Sequence, residues 1–310
     1  MLRHVNETIA ERTPIARVQV VSTGEVQIRP EHARRTWRPL PLWLLTSRRF
    51  TDPLPINAYV IEHRKGLVLF DTGQDRASVT DETYFPTGLP HLTYRRLARF
   101  TISPTETLSA GLSRLGYRLA DVHTAVLSHL HQDHIGGLRE LSSVGSGRST
   151  GPVRIVLSER EWRSLSAPMA ELRGLLRQHI PLDGLDWHPV RMRPTDDPSL
   201  MPFTSAHDLF GDDSMVLLPT PGHTPGSVSL LVRRPGLAPL MMVGDLTYDI
   251  HLLTEGHTPG VGFRRTLSSS TAAVNRFVKR NPDVVILPAH DPGAARRLAL
   301  SENRAVHQQR

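Results

Sequence analysis

Four side chains able to bind a cation or move a proton crowd into six residues of this chain. They are His129, His131, Asp133 and His134, in SHLHQDHIGG (128–137). In an extended segment residues two apart point to the same side, so His129 and His131 can offer nitrogens to one metal ion. Once the chain turns, Asp133 and His134 can face a second point nearby. Three more candidates each follow an apolar, β-prone stretch. His223 lies in the Pro/Gly-rich turn TPGHTPGS (220–227), Asp245 follows 240–243 and Gly244, and His290 follows 284–287. Strand ends are where a rigid scaffold presents ligands. Five histidines and two aspartates can fill two metal spheres with one carboxylate bridging. The expected cofactor is a pair of divalent metal ions, zinc first, with iron, cobalt or manganese suited to the same donors.

Such ends require strands to carry them. The run 122–128 reads as a buried strand that delivers the chain into the histidine block, and 153–157, 215–218, 228–232, 240–243 and 284–287 read the same way. A hairpin is expected from 56–61 and 67–70 around a polar turn, its second strand running into Asp71-Thr72-Gly73. A first strand is expected at 16–21, with a turn at Gly24. Ser103-Pro104 predicts a helix start that runs to about Leu115 and stops at Gly116; 159–177 is helical with a break at Pro168, and 268–280 is helical. Pro30, Pro39, Pro41, Pro53 and Pro55 predict an extended loop over 30–55, which carries the apolar WRPLPLWLL (37–45). Residues 1–15 read as a loose lead-in, 74–103 as irregular, 142–151 as a Ser/Gly surface loop and 301–310 as a frayed polar tail. Hairpin-linked strands with helices, and no regular βαβ alternation, predict one α/β domain over 1–310 with sheets face to face and helices outside.

Composition closes off several classes. With 310 residues and no cysteine, the chain has no disulfide scaffold, thiolate nucleophile or sulfur-bound zinc. No run approaches the length of a membrane span, and the first twenty residues lack an apolar core, so the cytoplasm is the expected compartment. The net charge of +7 comes from arginine, for only Lys65 and Lys279 are lysines. The arginines fall mostly in scattered pairs, which predicts a solvated surface and no nucleic-acid partner.

HLHQDH, a later GHTPG histidine, a Gly-Asp and a histidine beyond the last strand together resemble the metallo-β-lactamase superfamily, over about 56–290. The resemblance implies an αβ/βα four-layer sandwich with a dinuclear centre at the sheet edge. It implies that His129, His131 and His223 hold one metal, that Asp133, His134 and His290 hold the other, and that Asp245 bridges them. True β-lactamases of this fold lack the bridging Asp, and several use a Cys, so lactam hydrolysis is disfavoured. The Asp245-x-x-Tyr248 pattern in GDLTY, with IEHRKGLVLFDTG and SHLHQDHIGG, resembles the N-acyl-homoserine lactonases. That resemblance implies a hydrolase that opens a small-molecule lactone with metal-activated water. Tyr248 would contact the substrate carbonyl and Asp133 would carry a proton to the leaving oxygen. A glyoxalase-II-like thioesterase, or another ester or organophosphate hydrolase, is the alternative on the same fold, with a nuclease behind it.

Several residues are left with two readings. Asp71 is expected to orient a ligand histidine. His257 sits in a second GHTPG (256–260), but chain order favours His223 as the ligand. Trp43 is a candidate substrate-pocket side chain, although core filling or a homodimer contact is the preferred reading of its segment. His91, His179, His188, His207 and His251 read as surface or satisfied residues.

Overall fold

The computed structural model describes residues 13–145, 151–180 and 183–308. The strands of the first half are β1 (Ile15–Ile28), β2 (Leu54–His63), β3 (Gly66–Phe70), β4 (Ala98–Thr101), β5 (Val122–Val126), β6 (Val153–Ser158) and β7 (Leu185–Val190). They form a seven-stranded sheet in the order β4-β1-β2-β3-β5-β6-β7. The second half supplies β8 (Arg193–Pro194), β9 (Ser205–Asp208), β10 (Met215–Pro219), β11 (Val228–Val232), β12 (Leu240–Gly244) and β13 (Val285–Pro288). These make a six-stranded sheet in the order β13-β12-β11-β10-β9-β8.

β3, β10 and β12 carry no polar side chain because both of their faces are covered. Along β3, Val68 and Phe70 face the other sheet, while Leu67 and Leu69 face outer helices. In β10, Met215 and Leu217 point into the shared core and Val216 and Leu218 point outward. Leu240 and Met242 of β12 meet that same core, and Met241 and Val243 pack beneath the Arg264–Arg280 helix with Leu267, Val274 and Phe277. The outer face of the seven-stranded sheet is covered by the Leu108–Arg114 and Leu138–Gly145 helices through Leu108, Leu112, Leu138 and Leu141. Helices, sheet, sheet, helices: the four-layer α/β arrangement is present.

Parallel pairing puts the functional loops on one edge. β3, β5, β6 and β7 run parallel, and so do β12 and β13. β10 is two antiparallel steps from β12 and therefore points the same way. A backbone hydrogen bond from Val228 to the Ser128 carbonyl (3.0 Å) ties the loop after β5 to the start of β11 in the other sheet.

Several expectations need correction. The 30–55 segment is not a continuous extended loop: it contains the short helices Pro30–Ala33 and Leu40–Thr46. Proline stands at the first or second helical position of both, where its missing N–H costs nothing. β1 does not end before Gly24; it runs through that residue at a pairing irregularity between Ser22 and Glu25, with Gly24 at φ 114°. Residues 74–103 hold the helices Ala77–Thr80 and Leu89–Leu97 and the edge strand β4. The helix over 103–115 is a 3₁₀ turn, Pro104–Glu106, followed by Leu108–Arg114, with Ser103 and Glu106 capping each other. In 159–177 only Glu159–Ser164 is α-helical, with a 3₁₀ turn at Glu171–Arg173. The 301–310 tail is helical as far as Gln308, within Ala294–Gln308. Ile15 of the expected lead-in already belongs to β1, and residues 142–145 of the expected Ser/Gly loop end the Leu138–Gly145 helix; residues 1–12 and 146–150 of those two segments lie outside the described residues.

Candidate metal centre

β3 delivers Asp71, which takes a left-handed φ of 59°, a conformation Asp tolerates better than most residues. From there its buried carboxylate accepts Ser128 N–H (2.7 Å) and Ser128 Oγ–H (2.8 Å), and lies 2.8 Å from His134 Nδ1. Nδ1–H of His134 is thereby spent on Asp71, which turns Nε2 inward. His290 repeats the device through Nδ1 and the Pro55 carbonyl (3.0 Å). His131 uses the opposite nitrogen, Nε2 on the Arg173 carbonyl at 2.9 Å, and so presents Nδ1. His129 Nδ1 lies 2.9 Å from Ser128 Oγ. Two glycines permit the close approaches: a Cβ on Gly174 (φ 90°) would stand 2.6 Å from the His131 ring, and one on Gly244 2.8 Å from the Ser128 side chain.

The inward atoms converge. Donor atoms of His129, His131 and His223 lie within 4.8 Å of one another, as do those of His129, His134 and Asp245, and those of Asp133, His134 and His290. Asp245 lies between these groups. Its Oδ1 is 3.2 Å from His134 Nε2 and 3.3 Å from His290 Nε2, while Oδ2 is 3.3 Å from His223 Nε2. Asp133 stands at the more open side, Oδ2 3.5 Å from His290 Nε2. His129 Nε2, His134 Nε2, His290 Nε2 and Asp245 Oδ1 are buried with no hydrogen-bond partner. Four orphaned donor atoms aimed at one space, each ring held from behind, is the pattern a cation would satisfy. The residues fit divalent metal ions.

The charges of the metal-free site follow from the same contacts. Burial, and then the neighbouring imidazoles, push His129 well below the usual histidine range, and burial does the same to His223. Burial also lowers His134 and His290, but Asp245 outweighs it, with Asp71 helping at His134 and Asp133 at His290, and both end raised. Asp245 is itself held well below the usual carboxylate range: burial would raise it, and His290 and His134 override that. Metal ions need bare nitrogens, so loading must displace the protons on His134 and His290. Loading at neutral pH is expected to release protons, and affinity to fall as pH drops below the raised values. Calorimetric titration in buffers of differing ionisation enthalpy measures this; an affinity indifferent to pH would contradict it.

A buried acid that sequence reasoning passed over ties two of the loops together. Glu161 accepts Leu130 N–H (3.1 Å) on one oxygen, and Thr224 Oγ1–H (2.7 Å) and Gly226 N–H (2.9 Å) on the other. It therefore joins the His129–His131 strand end to the turn that carries His223. Burial raises its pKa against the pull of these donors. Glu161→Ala leaves three buried donors without an acceptor and should cost about 3 kcal/mol of stability in urea unfolding. A loss below about 0.5 kcal/mol would show that the clamp is not needed.

Of the remaining sequence candidates, Tyr248 is 4% exposed; its hydroxyl donates to Asp245 Oδ2 (2.7 Å) and its ring stacks on His290 at 5.4 Å. Trp43 is 1% exposed, with its ring 6.4 Å from His32. His257 is not in the cluster: its Nε2 lies 2.9 Å from an Arg34 guanidinium nitrogen and 3.2 Å from Glu255. His179 stacks on Tyr84 and bonds its carbonyl at 2.7 Å, and His188 pairs with Asp186. His32 lies 3.1 Å from the Tyr248 hydroxyl, and nothing in the local sequence RPEHARR (29–35) marks it as a site residue.

Comparison with known proteins agrees with this geometry. Residues 51–290 match the model of the metallo-beta-lactamase superfamily. An N-acyl homoserine lactonase, AttM, of Rhizobium radiobacter is 26% identical over 243 residues, 78% of this chain and 83% of the relative. A solved N-acyl homoserine lactone hydrolase, with N-hexanoyl-L-homoserine bound at its catalytic metal centre, superposes with a TM-score of 0.69 at 19% identity, covering 90% of this chain and 94% of that one. AidC, described as a dizinc quorum-quenching lactonase, gives a TM-score of 0.54 at 16% identity, covering 90% of each chain. No helix among the described residues is long and apolar enough to cross a membrane. Two facing sheets, a histidine-carboxylate cluster at their common edge and a family match across most of the length lead to one conclusion: the chain belongs to the metallo-beta-lactamase superfamily and is a metal-dependent hydrolase.

Proposed function

We propose that this protein opens the lactone ring of N-acyl-homoserine lactones at a site for two divalent cations, zinc first among them. His129, His131 and His223 would hold one cation, Asp133, His134 and His290 the other, and Asp245 would reach both. The observation that carries the reading is the placement of Asp245. One oxygen faces His134 and His290, the other faces His223, and the second also takes the Tyr248 hydroxyl. Bound cations supply Lewis acidity and bring the pKa of a water toward neutrality.

The protein's own groups do the rest. Burial, then the charge and hydrogen bond of Asp245, hold the Tyr248 phenol well above its ordinary pKa, so it keeps its proton and acts as a hydrogen-bond donor. A donor beside the reacting centre is suited to a carbonyl oxygen that gains negative charge. Asp133, with its side chain 18% exposed and facing His290, would take on a carboxylate oxygen the proton given up by the attacking water and pass it to the alkoxide that leaves the opened ring. The similarity to AttM favours lactones over other esters. The test is pH-stat hydrolysis of γ-lactones, thioesters and phosphodiesters by metal-loaded protein. Proton release from N-acyl-homoserine lactones well above the other two is expected; a preference for thioesters or phosphodiesters would overturn the substrate assignment.

Asp71 provides a check on the ligand geometry. Asp71→Asn replaces one acceptor oxygen by an NH2 group, which must face either Ser128 N–H or the His134–Ser128 side. Losing such a partner behind a ligand should lower metal affinity or turnover by about 10- to 100-fold. Metal affinity and turnover both within a factor of about two of wild type would mean that His134 needs no such support.

A further inference from the structure

Two sequence features that the metal cluster leaves unused meet at one place: the second GHTPG and the proline-rich segment before the hairpin. Gly260 N–H donates to the His32 carbonyl (2.7 Å), Arg35 N–H to the Thr258 carbonyl (2.8 Å) and the Arg35 guanidinium to the Gly262 carbonyl (3.0 Å). A Cβ on Gly260 would stand 1.8 Å from the Glu31 carbonyl oxygen, so only glycine fits against this backbone. The same stretch continues into Phe263, whose N–H donates to the Gly222 carbonyl (2.7 Å), beside His223. His32 is therefore fixed by a strap that reaches the metal-site loops.

Its ring is aimed with equal care. His32 Nε2 lies 3.1 Å from the Tyr248 hydroxyl, the two rings meet edge to face at 5.4 Å, and Nδ1 is buried without a hydrogen-bond partner. A phenol has one proton, and here Asp245 Oδ2 receives it at 2.7 Å. The contact with His32 then needs the imidazole as donor, which places the ring proton on Nε2 and leaves Nδ1 bare.

We infer that His32 is a positioning residue for Tyr248: its Nε2–H holds the phenol oxygen and leaves the phenol proton free to point at Asp245 or at a substrate oxygen. The inference rests on the lactonase reading given above. If His32 accepted instead, it would compete with substrate for the only proton the tyrosine has. Burial supports the neutral ring, pushing its pKa down to about 4.

The test uses the metal-loaded protein and variants that separate ring packing from hydrogen bonding. His32→Phe keeps a ring against Tyr248 but loses the donor, and His32→Gln returns an N–H near the same position. For lactone opening, His32→Phe should lower kcat by about tenfold with little change in KM, the size of one lost hydrogen bond. His32→Gln should recover most of it. In a Tyr248→Phe background His32→Phe should add nothing, and metal content should be equal in all. Independently of activity, long-range ¹H–¹⁵N spectra should show the wild-type His32 ring as the Nε2–H tautomer, with its nitrogen signals moved by Tyr248→Phe.

A full additional loss in the Tyr248→Phe background, or an Nδ1–H tautomer, overturns the inference while the role of Tyr248 stands. Wild-type turnover by Tyr248→Phe overturns both. If the wild-type protein opens no lactone at all, the lactonase reading fails, and the tautomer and its response to Tyr248→Phe decide the His32 contact alone. Those spectra need only wild type and Tyr248→Phe, so a misfolded His32→Phe does not block the decision.

Discussion

Asp245→Asn is expected to purify with less than the wild-type metal content and to lose more than about 100-fold in lactone turnover, a larger effect than removing a group behind a ligand. The substitution changes one oxygen for an NH2 group and removes the negative charge from the middle of five imidazoles. Either orientation of the amide harms the site. With NH2 at Oδ1 it faces His134 and His290; at Oδ2 it faces His223 and meets the Tyr248 O–H donor. In the metal-free protein Asp245 is also the leading influence that raises His134 and His290. Without it those rings should lose their protons more readily, and proton release on metal loading should shrink. Elemental analysis after dialysis reads the first effect and calorimetry the second. Retention of the full metal complement by Asp245→Asn would mean that the carboxylate does not reach both cations.

Tyr248→Phe should behave in the opposite way with respect to metal. The phenol touches Asp245 but sits outside the histidine groups, so metal content should stay at the wild-type level. Turnover should fall about 100-fold, the scale for losing a donor to a developing oxyanion, with KM moved little. Removing the hydroxyl also strips a partner from Asp245 Oδ2 and from His32 Nε2, at about 1–3 kcal/mol of stability. Assays therefore belong well below the melting temperature of the variant. Unchanged kcat with full metal content would leave Tyr248 a packed aromatic against His290, with no part in the chemistry.

What could be read in the sequence was whatever a local pattern enforces. The strands at the centre of each sheet are covered on both faces, so Leu67–Phe70 and Leu240–Gly244 had to be apolar throughout and Val122–Val126 apolar except at His123 and Thr124, and they stood out. The histidine block followed directly from one of them, and chain order separated His223 from His257. Elements at the margins had no such signature. LDWHPV in β7 carries Asp, His and Pro, tolerable on an edge strand where one side of the ladder is unpaired, and RP in β8 is a strand only because β9 lies beside it. Prolines in 30–55 suggested an extended path, yet proline opens a short helix as readily as it breaks a long one. The supports of the site were hidden for a different reason. Asp71 was suspected from its place after a strand, but Glu161, Ser128 and His32 act through partners 31 to 216 residues away. Nothing local in the sequence records such a contact.

The central claim is that seven side chains, brought from four strand ends, surround two cations with Asp245 between them. Anomalous diffraction from crystals of zinc-loaded protein, collected on both sides of the zinc edge, tests it most directly. The account predicts two anomalous peaks, one among His129, His131 and His223, the other among Asp133, His134 and His290, with Asp245 flanked by both. One peak alone, or zinc bound away from these residues, would contradict it.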